Sequence, residues 1–193
     1  MVLMRFRIPY RWITAGWFLF LILAFPLAAF SQKASIREVH AAGGNGTWKV
    51  SFIVENCFPE KMQETIQTGI PTTFTFYLQL YQVRTWWRDQ RLASSQFQHT
   101  IQYSPIRGEY QVTLEETGNS RVTQSFEEAK GWMAKVQGVE IRSSQGTKAG
   151  ALTYLRIKTE LELVKLPLHL EYLYFLLSLW NFETDWHVEP LSP

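Results

Sequence analysis

One cysteine, four scattered histidines and a nearly balanced charge leave this chain without the raw material of several common functions. Cys57 is the sole cysteine among 193 residues, so no intramolecular disulfide forms and a cysteine-rich metal or iron–sulfur site is excluded. Its neighbours Asn56 and Phe58 do not form a lipoprotein acylation site, and it lies too far from the apolar N-terminal run for one. A small core residue is the expectation for it. His40, His99, His169 and His187 stand singly. None has a second histidine at i+2 or i+4, the spacing that turns two imidazoles toward one metal ion. No Gly-x-Ser-x-Gly elbow occurs, and no carboxylate pair is isolated by spacing. The expectation is no catalytic residue, no cofactor and no metal site.

Excess charge is also missing. The formal net charge is +2, but residues 1–31 contribute Arg5, Arg7 and Arg11 and no acid. The remainder carries 16 basic and 17 acidic side chains, a net of −1. No face able to neutralise a run of phosphates is implied, so nucleic acid is not an expected partner.

What is present begins with the N-terminus. Three arginines precede an apolar run over residues 12–30, the charged and hydrophobic regions of an export signal. Pro26 breaks the helix near its end, and Ala29 and Ser31 are the small residues a signal peptidase reads. Cleavage after Ser31 leaves Gln32 first; cleavage after Ala29 is the neighbouring choice. An uncleaved anchor is the competing reading, since 19 apolar residues just cross a hydrocarbon core of about 30 Å and the arginines stay cytoplasmic either way. Residues 1–31 are therefore read as signal peptide or membrane anchor, and residues 32–193 as one domain outside the cytoplasm, periplasmic and either soluble or tethered.

That domain alternates. Trp48, Val50, Phe52 and Val54 interleave with polar residues, and Gly43-Gly44-Asn45-Gly46 predicts a hairpin back to residues 36–41. The glycines lack the following Lys-Ser/Thr of a phosphate loop. Pro59, Glu60 and Glu64 open a short helix that Gly69 ends, with Phe58, Met62 and Ile66 on one face. Residues 72–84 then place Phe74, Phe76, Leu78 and Leu80 on one side and Thr73, Thr75, Tyr77, Gln79 and Tyr81 on the other. Residues 87–103 form the returning strand, and Tyr110, Val112 and Leu114 mark another. Ser125 and Glu128 read as a capping box for a helix that buries Phe126, Ala129, Met133 and Val136 and stops at Gly138. Strands follow at 139–142 and 153–164, with Leu155, Ile157, Leu161 and Leu163 facing in. The apolar stretch 166–182 reads as a closing core element, or as an aromatic patch for a membrane surface or partner. Eight tryptophans suit such pleated, half-buried surfaces. The pattern predicts a mainly β, antiparallel two-layer sandwich, immunoglobulin-like in the broad sense, with two short amphipathic helices and an N-terminal export helix.

The most unusual segment is Arg84-Thr85-Trp86-Trp87-Arg88-Asp89. Continued alternation sends one indole into the core and leaves the other exposed or over an arginine. Two readings follow. One is a hairpin corner in which a tryptophan shields Arg84 or Arg88 and Asp89 pairs with an arginine. The other is a binding surface made of Arg84, Trp86, Trp87, Arg88 and Asp89.

With Gly69-Ile70-Pro71 and the long strand between them, this segment resembles the signature of the DUF4390 family of uncharacterised bacterial exported proteins. Tyr103 and Tyr110 about a turn, Tyr154 with Arg156, Leu166-Pro167, Trp180 and Trp186 are similar too, and the resemblance covers most of residues 35–190. Gln82 and Val83 stand where members often carry a further basic residue. The resemblance implies an exported domain that brings no catalytic residues, and suggests an accessory role beside envelope sensor kinases. The expected function is a non-enzymatic extracytoplasmic interaction module with an envelope or membrane protein as partner, and membrane contact through residues 12–30 if these are uncleaved. A glycan- or lipid-binding domain using exposed aromatics comes second and an envelope hydrolase third.

Overall fold

The computed structural model describes residues 33–44, 46–143, 151–163 and 183–191. The apolar run 12–30, read above as an export signal or anchor, and the whole apolar stretch 166–182, with His169 and Trp180, lie outside the described residues.

The described chain is mainly β, with two antiparallel sheets, two helices and no closed barrel. Nine strands occur in the order β1 Ser35–Gly44, β2 Thr47–Glu55, β3 Thr72–Gln82, β4 Gln90–Ser104, β5 Glu109–Leu114, β6 Asn119–Thr123, β7 Lys135–Arg142, β8 Thr153–Leu163 and β9 His187–Leu191. Helix α1, Glu60–Gln67, joins β2 to β3, and α2, Phe126–Ala134, joins β6 to β7. The smaller sheet is ordered β1-β2-β7 and the larger β6-β5-β4-β3-β8-β9.

The predicted hairpin forms: Gly43 pairs with Trp48 and Gly44 with Thr47. Gly43 has φ +152°, and a Cβ there would meet the Thr47 carbonyl oxygen at 2.3 Å, so no other residue fits without moving backbone. Trp48, Val50, Phe52 and Val54 are buried, as the period of two requires. On β3 the inward set Phe74, Phe76, Leu78 and Leu80 is wholly buried. The two sheets share one hydrophobic cluster, in which Phe52 of β2 meets Phe76 of β3 edge-on at 5.9 Å. The helices supply Met62, Ile66, Ala129 and Met133 to it. Phe58, just before α1, contacts both Phe74 and Phe126.

Several expectations are corrected. The second helix ends at Ala134, and Val136 already belongs to β7. Gly138 is a bulge inside that strand, not a helix stop. It takes φ +63°, its N–H donates to Ser51 Oγ at 2.9 Å, and the β2–β7 register shifts between Val50 and Phe52. Only half of the capping box forms. Ser125 Oγ accepts from the Glu128 N–H at 3.3 Å, whereas the Glu128 carboxylate accepts from Thr123 Oγ1, because the Ser125 N–H is already satisfied by that hydroxyl. β4 begins at Gln90, three residues later than expected, and its pairing with β3 shifts between Leu80 and Tyr81. β6 carries no apolar face and β9 only Leu191 at its end, so neither shows a hydrophobic period.

Register sets the outer face of the large sheet. β3 and β8 pair directly, so inward Phe76 lies opposite Thr159 and outward Tyr81, Gln79 and Tyr77 lie opposite Tyr154, Arg156 and Lys158.

Candidate functional site

β3 stops hydrogen-bonding as a strand after Gln82, and residues 83–89 leave the sheet as a loop before β4. Alternation therefore does not carry through the paired tryptophans. Trp86 is 93% exposed and Trp87 77% exposed. Neither enters the core, and among the described residues no guanidinium lies over either indole. The expected corner, with one indole buried and Asp89 paired to an arginine side chain, is not what forms. Both rings project into solvent because the chain turns before the pleat could direct one of them inward.

The loop is nevertheless held at its base. Asp89 Oδ1 accepts the Arg84 backbone N–H at 3.2 Å, closing the loop upon itself. Asp89 Oδ2 accepts the Tyr154 hydroxyl at 2.8 Å, tying the loop to β8. The Val83 N–H donates to the Leu152 carbonyl at 2.9 Å, and the Arg84 guanidinium donates to Gln90 Oε1. Thr85, Trp86, Trp87 and Arg88 stand beyond these four anchors. Of the five sequence-predicted site residues, the structure thus uses Asp89 and the Arg84 backbone as a clamp and presents Trp86, Trp87 and Arg88 outward.

The clamp continues across the outer face of the large sheet. Tyr154 stacks on Tyr81 with centroids 5.3 Å apart and planes within 8°. The Arg156 guanidinium lies 5.8 Å from the Tyr81 ring and 4.5 Å from the Trp186 ring, the reach of a cation–π contact. Lys158 sits 5.7 Å from Trp186 and pairs with Glu160 at 2.6 Å and with Glu183. Those two hydrogen bonds hold the Lys158 ammonium above its ordinary pKa. Burial, then the Asp89 hydrogen bond, pushes the Tyr154 hydroxyl up to about 12, so it remains a donor to the carboxylate at any physiological pH.

A family model, the domain of unknown function (DUF4390), matches residues 31–189. The chain belongs to the DUF4390 family. No curated protein and no solved structure matches it. In this DUF4390 domain several of the described residues that carry the resemblance, distant in sequence, meet in two places. Asp89, Tyr154, Arg156 and Trp186 join along the strip just described. Gly69 faces the Tyr103 carbonyl and Pro105, and Tyr103 packs on Tyr110 across the β4–β5 hairpin at 4.7 Å.

Sequence reasoning missed one buried polar pair. The His99 ring is wholly buried, packed against Phe76 at 4.6 Å. Its Nδ1 lies 3.0 Å from the Met133 carbonyl oxygen and its Nε2 3.0 Å from both Glu116 carboxyl oxygens. A carbonyl only accepts, so Nδ1 bears a hydrogen, and a proton lies between Nε2 and the carboxyl. The pair fastens the β5–β6 turn to the C-terminus of α2. His99 stands inward on β4, opposite inward Phe74; that parity was the available signal. The other described histidines are His40, exposed on β1, and His187, whose Nε2 lies 3.2 Å from a Glu189 oxygen. Among the described residues no three His, Cys, Asp or Glu side chains stand close enough to hold a metal ion.

Among the described residues, three open grooves each hold about 520–570 Å³. One runs between β1 and β9 beside Trp48, one past Glu115, Glu116 and Gln137, and one around the β4–β5 turn at Ile106. None is lined by residues of the tryptophan loop.

Proposed function

We propose that this domain is a non-enzymatic interaction module on the extracytoplasmic side, with its two sheets packed as the layers of a sandwich, and that it meets an envelope component through residues 83–89. The observation that carries the reading is the combination of two almost fully exposed, adjacent indoles with a base pinned by Asp89 and Tyr154. Scattered exposed apolar residues are ordinary, but contiguous aromatics held on a braced loop are the composition of contact surfaces. A rigid base also lowers the entropy lost when such a loop is covered. The apolar segment at residues 12–30 and the arginines before it support an extracytoplasmic location, and an accessory role beside an envelope sensor fits a module of this kind.

The test is a photo-crosslinking residue in place of Thr85, installed in the full chain in its native envelope. Irradiation should yield a discrete adduct, with protein or with lipid, that disappears in Trp86→Ala/Trp87→Ala. An envelope in which position 85 gives no adduct above that of an exposed control such as Ser120 would sink the reading.

A further inference from the structure

We infer that the tryptophan loop docks on an anionic lipid surface, its indoles at headgroup level and its arginines on lipid phosphates. This rests on the loop being the contact surface proposed above, and commits that surface to one occupant.

Shape favours lipid. The apolar groups are gathered at one end of the large sheet, because the Val83–Leu152 hydrogen bond brings Leu152, 67% exposed, beside the loop that carries Trp86 and Trp87. They form a projecting tip, and none of the three grooves includes them. A tip of this kind enters a deformable interface without needing a matching cavity, and tryptophan is the side chain most at home between acyl chains and headgroups.

Charge selects the lipid. Residues 83–91 hold Arg84, Arg88 and Arg91 and a single acid. Both oxygens of that acid, Asp89, are already engaged by the Arg84 backbone and the Tyr154 hydroxyl. Among the described residues no carboxylate pairs with any of the three guanidinium groups. The rest of the exported domain is slightly acidic, so the basic excess belongs to the tip. Guanidinium groups bind phosphate oxygens in a fork, and each basic residue near an anionic surface raises partitioning about fivefold.

The test uses the full chain in nanodiscs, with Thr85→Cys carrying an environment-sensitive dye. Labelling is selective because burial pushes the Cys57 thiol up to about 12, which keeps it protonated and unreactive. Nanodiscs containing phosphatidylglycerol should shift the dye emission to the blue, and discs of phosphatidylcholine alone should not. Arg88→Gln/Arg91→Gln should lower the docked fraction about tenfold or more in low salt, and Trp86→Ala/Trp87→Ala should abolish the shift. Equal emission on the two disc types, or a shift indifferent to these substitutions, overturns the inference. A protein-only adduct from position 85 in the envelope would likewise overturn it while leaving the interaction module standing; no adduct of either kind removes both.

Discussion

Truncating the loop tryptophans should cost far less stability than truncating a core aromatic, which separates a contact surface from a structural corner. A tryptophan buries at most about 250 Å². At 93% exposure Trp86 hides about 7% of its surface and at 77% Trp87 hides about 23%. At about 25 cal/mol per Å² these areas are worth about 0.4 and about 1.4 kcal/mol, and both are upper bounds because the unfolded chain is itself partly collapsed. Phe76, wholly buried between Phe52, Phe97 and His99, supplies the contrast, since Phe76→Ala should cost about 3–5 kcal/mol. Urea unfolding of the three single variants, followed by circular dichroism, measures all of them on one scale. A Trp86→Ala cost approaching that of Phe76→Ala would refute the exposed-tip geometry and return the segment to the core.

Three further outcomes follow from particular contacts. His99→Ala and Glu116→Ala should each cost about 3 kcal/mol, because either change strands a buried polar partner. The double variant should cost less than the sum, and additivity in the cycle would show that the two side chains do not interact. Thr159→Val should stabilise the fold by about 1 kcal/mol, because the inward hydroxyl of Thr159 is buried with no hydrogen-bond partner among the described residues and valine keeps its shape; a lower urea midpoint would contradict that. Cys57 gives a pH dependence whose sign is fixed. Burial raises its pKa from 9.0 to about 12 in the folded chain, so the unfolded thiol ionises first. The contribution is intact below pH 9 and is lost as pH rises from 9 to 12, at most about 4 kcal/mol in all. Cys57→Ala should flatten the alkaline slope of unfolding free energy relative to wild type, and parallel slopes would show that the thiol is not buried in the fold.

Legibility of the fold tracked the strength of its periodic signal. β2, β3 and β8 were readable because each buries one face completely, and Phe74, Phe76, Leu78 and Leu80 in alternation admit one orientation only. β6 and β9 were not, because edge strands with little burial carry no period for the eye to find. Gly138 illustrates a local ambiguity: a glycine after a helical run signals a helix end, and the same left-handed freedom serves a strand bulge. Composition singles out the loop segment, but alternation does not give its geometry, because the ladder stops at Gln82. His99 was hidden for a different reason. Its partners, Met133 and Glu116, lie 34 and 17 residues away, and nothing local announces either contact.

If the tryptophan loop is the proposed contact surface, Trp86 and Trp87 face water in the isolated chain and are covered in the envelope. Hydroxyl-radical footprinting of the full chain, purified and again within intact envelopes, reads both states. Heavy oxidation of Trp86 and Trp87 in the purified chain and protection in the envelope, with Trp48 protected throughout, is the predicted result. Equal oxidation of the loop indoles in the two preparations, or protection already present in the purified chain, would contradict it.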